Sequence, residues 1–214
     1  MPAPSPQPRR LRAALRPVLI GLTLLALAGL GTLVTVARAG HPRTWSGGVV
    51  RFYDATGMNR TVAAAAARWN ASGADVHLRP VASLRAAQLV LRVDDRRLTR
   101  TCGHDCLGFT SDIGRPQGRR RSEVLLSGSL SDTPRPLSVW VAAHELGHVL
   151  GLHHRSGPEC SLMSAHAFDT RCPPSLGGTS ATPAQLACVP APADVEAASR
   201  LYGGAPRRAD ARCR

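Results

Sequence analysis

Histidine and glutamate side chains are concentrated in one short stretch, residues 144–154, which reads HELGHVLGLHH. A helix advances by about 100° per residue, so His144 and His148 lie one turn apart on the same face. Two imidazoles at this spacing can bind one zinc ion. Glu145 is offset by about 100° from His144, where its carboxylate can reach a water molecule on the metal. The pattern therefore predicts a zinc site in which Glu145 lies beside a metal-bound water.

The third ligand must come from beyond the first helical turns. In a continuing helix, His154 would lie about 240° from His148 and would point away from the metal. Gly151 readily adopts the left-handed conformation that ends a helix, after which His154 can return to the metal. Because turn geometry after a glycine varies, His153 is an alternative third ligand.

The spacing H-E-x-x-H-x-x-G-x-x-H resembles the zinc-binding signature of the metzincin metalloproteases. This resemblance implies His144, His148 and His154 as the three ligands of one catalytic zinc ion. It also implies a methionine turn below the metal, for which Met163 in SLMS (161–164) is the candidate. The segments AAHELGHVLGLHH, GFTS and ADVEAASRLYG resemble the matrixin branch of that family.

Membership of this branch would imply hydrolysis of peptide bonds, with Glu145 moving a proton from water to the leaving amine. The substrate would lie extended along an edge strand and add to it by main-chain hydrogen bonds. We therefore expect a protein or peptide substrate, bound at Leu107, Gly108, Phe109 and Thr110. The second function class is a non-catalytic exported zinc-binding protein, in which the site stabilises the fold or binds a partner. A carboxylate such as Glu145, aimed at the open metal position, favours the enzyme.

The chain departs in two respects from the matrixin pattern and in a third from the astacin-like and serralysin-like metzincins, which add a tyrosine after the methionine. The short segment between Gly40 and the first predicted strand has no cysteine, so latency through a propeptide cysteine is not expected. The predicted loop 96–121 offers only His104, Asp105 and Asp112 as further ligands, so a second zinc ion is not expected and bound calcium is undecided. Ser164, Ala165 and His166 follow the methionine, so no tyrosine ligand is expected.

Strand-like and helix-like patterns alternate after residue 46. Alternating apolar residues predict strands, and helical spacing with glycine stops predicts helices. This order predicts a mixed α/β domain of the α+β class with its sheet early in the chain. The resemblance implies a metzincin-like zincin domain: a twisted, mostly parallel sheet with an antiparallel edge strand, an active-site helix and a C-terminal helix. The predicted strands are 47–55, 76–81, 88–95, 106–112 and 122–130, and the predicted helices are 59–73, 136–151 and one within 191–204.

The first 39 residues have the features of an export signal. Basic residues precede an uncharged apolar run at 18–36, and Ala37-Arg38-Ala39 is a pattern that a signal peptidase can cut. The run is also long enough to remain as a membrane anchor. Either way, residues 40–214 are predicted to form the catalytic domain outside the cytoplasmic membrane, secreted or tethered.

All six cysteines lie after this segment. An even number in an exported chain predicts disulfides. Six cysteines allow about fifteen sets of three disulfides, and the set that joins cysteines next to one another in the sequence is the simplest. It joins Cys102 to Cys106, Cys160 to Cys172 and Cys188 to Cys213.

The formal charge of the chain is +13. Five arginines and no acidic residue fall within residues 1–39, which leaves +8 for the remainder. The densest basic cluster, 119–121, contains no interleaved aromatic residue, so nucleic-acid binding by base stacking is not expected. The simplest interpretation of this cluster is a solvated loop. The alternatives are a processing site and a contact with acidic polymers. We expect a monomer.

Overall fold

A computed structural model describes residues 43–116, 118, 120–131, 135–155, 161–165 and 190–207. The predicted export signal, His41, His166 and the cysteines at 160, 172, 188 and 213 lie outside these residues. Within them, nine helices and strands follow one another along the chain. They are β1 (Val49–Ala55), α1 (Asn59–Asn70), β2 (His77–Pro80), β3 (Leu89–Val93), α2 (Asp95–Cys102), β4 (Gly108–Thr110), β5 (Ser122–Leu126), α3 (Arg135–Val149) and α4 (Pro192–Tyr202).

The five strands form one sheet in the order β2-β1-β3-β5-β4. β2, β1, β3 and β5 run parallel, and β4 pairs antiparallel with β5 at one edge. The predicted fold class, a mostly parallel sheet with an antiparallel edge strand and two later helices, is confirmed. This topology places β4 at an edge of the described sheet, beside α3, with which it is in contact.

Helix α2 was not predicted, because the sequence pattern favours a strand up to residue 95 and a loop after it. The segment has only one buried apolar side chain, Leu98, and so gives almost no helical periodicity. Its start is nevertheless encoded locally: the Asp94 side chain accepts a hydrogen bond from the Arg97 N–H (3.0 Å), as an N-cap does. The strands predicted at 106–112 and 122–130 are shorter in the structure, where they end at Thr110 and Leu126.

The core lies between one face of the sheet and helices α1 and α3. Inward-facing side chains alternate along the strands, as Val50 and Phe52 do on β1, whereas Arg51 between them is exposed. Trp69 of α1 is fully buried, and its indole N–H donates to the Ala143 carbonyl of α3 (2.9 Å). The two helices are thereby joined by both packing and a buried hydrogen bond.

The end of α3 is held from both ends of the described chain. The indole N–H of Trp45 donates to the Val149 carbonyl (2.7 Å), and the Tyr202 hydroxyl donates to the Leu150 carbonyl (2.9 Å). Burial raises the pKa of Tyr202 to about 12, so the hydroxyl stays a donor at neutral pH. These bonds satisfy carbonyls that a helix end leaves without intrahelical partners.

Cys102 and Cys106 form a disulfide, which confirms the predicted pairing of these two residues. The bridge closes a short loop between the last residue of α2 and the start of β4. Among the described residues, no helix is long and apolar enough to cross a membrane.

We predict that Trp69→Phe lowers the free energy of unfolding by about 1–3 kcal/mol, because the buried bond to Ala143 is lost and a small cavity is left. Urea denaturation of the purified variant measures this change. Arg60→Ala, at an exposed position of the same helix, serves as the control and should remain close to wild type. Equal stability of Trp69→Phe and wild type would contradict the prediction.

Candidate metal centre

The chain reverses direction at the end of α3 through a glycine turn. Gly151 has a φ of 95°, in the left-handed region that favours glycine. Its N–H donates to the His148 carbonyl (2.9 Å), and the Leu152 N–H donates to the Gly147 carbonyl (3.0 Å). This pair of bonds is the Schellman motif, which ends a helix and redirects the chain. The conformation predicted for Gly151 is therefore present.

The turn brings three imidazoles together. His144 Nε2 and His148 Nε2 lie 3.2 Å and 3.1 Å from His154 Nε2. The three histidines form a group that could hold a metal ion, and His153, the alternative ligand, does not belong to it. His77 and His104 also lie outside the group.

Two of the rings are oriented by backbone carbonyls. His144 Nδ1 donates to the Leu162 carbonyl and His148 Nδ1 to the Leu152 carbonyl, each at 2.7 Å. Because Nδ1 carries the hydrogen, the Nε2 lone pair of each ring is directed to the shared centre. Burial lowers the pKa of His144 to about 3 and that of His148 to about 4, although these carbonyl bonds act in the opposite direction. Both rings are therefore neutral at physiological pH, as metal ligands must be.

The arrangement fits a tetrahedral cation with nitrogen ligands. Zn–N bonds of about 2.0–2.1 Å at tetrahedral angles would separate the ligand nitrogens by about 3.3 Å. The observed separations of 3.1 and 3.2 Å are close to that value. At His144 and His148 the Nε2 atoms carry no hydrogen, so their short approaches to His154 bring lone pairs towards a common point that a cation would occupy.

Glu145 lies next to the histidines on the same helix and is almost completely buried, at 5% exposure. Its Oε2 accepts a hydrogen bond from the Thr110 hydroxyl on β4 (2.6 Å). Burial raises the pKa of Glu145 to about 7, and the bond from Thr110 opposes this shift. A carboxyl group with a pKa near neutral pH can both accept and return a proton.

Met163 lies beneath the ligand helix, as a methionine turn would place it. The side chain is fully buried, and a Cβ added to Gly147 would lie only 2.4 Å from the Met163 sulfur. Residues 161–164 form a turn closed by a bond from the Ser164 N–H to the Ser161 carbonyl (3.1 Å). Close packing against a glycine of α3 thus fixes the height of the turn below the histidines.

Asp194 of α4 supports the turn from below, a role that sequence reasoning did not identify. Its buried carboxylate accepts hydrogen bonds from the Ser161 hydroxyl, the Leu162 N–H (2.7 Å) and the Ala191 N–H (3.1 Å). Burial raises the pKa of Asp194, and these bonds oppose that shift. The carbonyl of the same residue, Leu162, accepts the bond from His144, so Asp194 and His144 are linked through the backbone of Leu162.

An open cleft of about 800 Å³ runs over the histidines. The four residues predicted to bind substrate, Leu107, Gly108, Phe109 and Thr110, line it together with Glu145. Trp140 is buried and also lines the cleft, where its ring stacks on His144 with centroids 5.2 Å apart. Its indole N–H has no hydrogen-bond partner among the described residues.

Comparisons with known proteins give little further information. No protein-family model and no curated protein matches the chain. Two solved structures of myroilysin resemble it, each with a TM-score of 0.38 and 14% sequence identity. The first covers 52% of this chain and 52% of myroilysin, and the second 55% and 48%. The chain therefore spans about half the length of these relatives, and its function has to be inferred from the site itself.

We predict that the metal-free protein loses stability as the pH falls from about 6.5 towards 4. His148 stays neutral in the folded state down to a pKa of about 4, whereas the unfolded chain binds its proton near pH 6.5. Between these two pH values the unfolded state holds more protons than the folded state, so the free energy of unfolding decreases as the pH decreases. Denaturation in the presence of a chelator should show a shallower pH dependence for His148→Gln. His77→Gln, at an exposed histidine of β2, should keep the wild-type slope. A wild-type slope in His148→Gln would contradict the prediction.

Loss of the Asp194 carboxylate should weaken metal binding without touching a ligand. We expect Asp194→Asn to bind Zn²⁺ about tenfold more weakly, because the peptide N–H of Leu162, the residue whose carbonyl orients His144, loses its charged acceptor. Competition with a chromophoric chelator measures the affinity. The exposed Glu196 on the same helix provides the control Glu196→Gln, which should bind as wild type does. Unchanged affinity in Asp194→Asn would show that the peptide holds its position without the carboxylate.

Proposed function

We propose that this protein is an exported, matrixin-like zinc endopeptidase. The observation that carries the proposal is a buried carboxyl, Glu145, beside three converging histidine nitrogens in an open cleft. Export is proposed from the basic and apolar character of residues 1–39. The protein is then secreted after cleavage near Ala39, or tethered to the outer face of the membrane by residues 18–36.

His144, His148 and His154 would hold the zinc ion through Nε2. When bound, zinc supplies a Lewis acid that polarises the peptide carbonyl and makes a water molecule more acidic. Trp140 stacks on His144, and the core side chains around α3 are buried, so the inner wall of the site is apolar and dry. Low local polarity strengthens the electrostatic interactions of the groups that remain in the site.

Glu145 is proposed as the general base and then the general acid. It accepts a proton from the attacking water and delivers that proton to the nitrogen of the leaving amine. Its burial in the cleft, directly beside the three histidines, supports this role. Among the described residues the group has three histidines and no fourth ligand, and a carboxylate lies beside it, which argues against the non-catalytic alternative, since structural zinc sites are closed by four ligands.

The proposed substrate is a protein or peptide in extended conformation. β4 is an edge strand of the described sheet and lines the cleft beside the histidines. An extended chain can add to such an edge through main-chain hydrogen bonds, which recognise the backbone more than the side chains. The proposal therefore assigns a broad class of unfolded or flexible segments as substrate.

Glu145→Ala tests the proposal directly in the purified protein, with zinc content measured beside cleavage of an unfolded protein. We expect the variant to retain one zinc ion per chain and to lose about 10²–10⁴-fold in kcat. Glu196→Gln, an exposed glutamate on α4, should cleave as the wild type does. If wild type and Glu145→Ala both bind zinc and neither cleaves, the non-catalytic zinc-binding protein becomes the better explanation.

A further inference from the structure

Strand β4 directs its main-chain groups in two directions. The Ser111 N–H donates to the Glu123 carbonyl, and the Ser127 N–H donates to the Leu107 carbonyl, each at 2.9 Å. In an antiparallel ladder, every second residue pairs with the neighbouring strand. The main-chain groups of Leu107 and Ser111 point towards β5. Those of Gly108 and Thr110 therefore point the other way, to the edge of β4 that faces away from β5. Gly108 and Thr110 are the residues whose backbone an added strand would meet.

The side-chain positions of Gly108 and Thr110 both face Glu145, because residues i and i+2 of a strand lie on the same face of the sheet. At Gly108 there is no room for a side chain: a Cβ would lie 2.6 Å from Glu145 Oε1 and 2.8 Å from its Cγ. Gly108 is not among the glycines with positive φ, so its backbone does not itself require glycine. The constraint on this position is the Glu145 carboxyl.

Thr110 fixes the other carboxyl oxygen. Its buried hydroxyl lies 2.6 Å from Glu145 Oε2 and 3.1 Å from the Glu145 main-chain carbonyl. The contact to Oε2 is the shorter of the two. Oε2 therefore cannot rotate away from β4 without breaking this bond.

The start of β4 is itself restrained. The Cys102–Cys106 disulfide ends two residues before Gly108, and Cys106 Sγ lies 3.0 Å from the Gly108 carbonyl oxygen. A disulfide sulfur has no hydrogen to donate, so this carbonyl can still accept a bond from a substrate N–H. The strand is thus anchored at its start by a covalent loop and along its inner edge by β5.

We propose that Gly108 and Thr110 are positioning residues that couple substrate binding to the alignment of the base. Their backbone groups bind the extended peptide, while the missing side chain of Gly108 and the hydroxyl of Thr110 hold the Glu145 carboxyl. Strand β4 thus positions both the scissile peptide and the Glu145 carboxyl that transfers a proton during its hydrolysis. This inference rests on the proposed function, because it requires a peptide on β4 and Glu145 as the base.

The test compares Thr110→Val with Thr110→Ser in the full chain, loaded with zinc, on one fluorogenic peptide. Valine keeps the shape but has no hydroxyl, so kcat should fall about 10–100-fold, while KM, which depends on the unchanged main chain, stays within about threefold. Serine restores the hydroxyl and should recover most of kcat. Thr61→Val is the matched control, since Thr61 and Thr110 are each 9% exposed and Thr61 lies on α1, away from the cleft.

Gly108→Ala provides an independent test and decides the matter if Thr110→Val does not fold. The added methyl group must displace the Glu145 carboxyl, so kcat should fall at least as far as in Thr110→Val, with zinc content unchanged. A kcat equal to wild type in either folded variant overturns the positioning role. A rise in KM with kcat unchanged also overturns it, since the residues would then only bind substrate.

Failure of the inference is distinguishable from failure of the proposed function. If wild type cleaves and Glu145→Ala does not, but Thr110→Val and Gly108→Ala cleave normally, only the positioning role is wrong. If the zinc-loaded wild type cleaves no peptide, the proposed function is itself wrong.

Discussion

The structure depends on the convergence of three imidazole nitrogens on one point. The Nε2 atoms of His144 and His148 both direct a lone pair to this point, and lone pairs repel one another unless a cation or an N–H lies between them. The arrangement is therefore held by the fold. Two backbone carbonyls, of Leu162 and Leu152, orient the rings of His144 and His148, and the turn at Gly151 supplies one of those carbonyls and returns His154. Helix α3 therefore has to end at Val149, so that the turn at Gly151 can place the Leu152 carbonyl and His154 at the site.

The remainder of the described domain can be understood as support for that geometry. Trp45 and Tyr202 satisfy the carbonyls at the end of α3, Trp69 joins the helix to α1, and Asp194 fixes the turn that contains Met163. These residues come from distant parts of the chain, so the metal centre can be complete only after the domain has folded. Rigid support of this kind keeps ligands close to their working geometry at little reorganisation cost.

The sequence predicts the parts of the site that depend on helical periodicity and glycine conformation. The spacing of His144 and His148, and the role of Gly151, are local properties of α3. By contrast, the contact between Asp194 and the turn spans more than thirty residues, and the bond from Thr110 to Glu145 spans thirty-five. Such contacts depend on how strands and helices pack, which local patterns do not encode. Helix α2 was missed for a different reason: with Leu98 as its one buried residue, it has no apolar stripe to detect.

The edge strand β4 has a consequence for the protein in concentrated solution. An edge that binds an extended substrate, as proposed, is equally open to an extended segment of a second copy. The strand has only three residues, between a disulfide loop and a bend, so it offers few bonds to a neighbour and is a poor template for aggregation. Under the proposed function, a segment of a second copy that reached this edge would be presented to Glu145 for cleavage. Self-digestion, rather than fibre formation, is then the form of concentration-dependent loss that this edge favours.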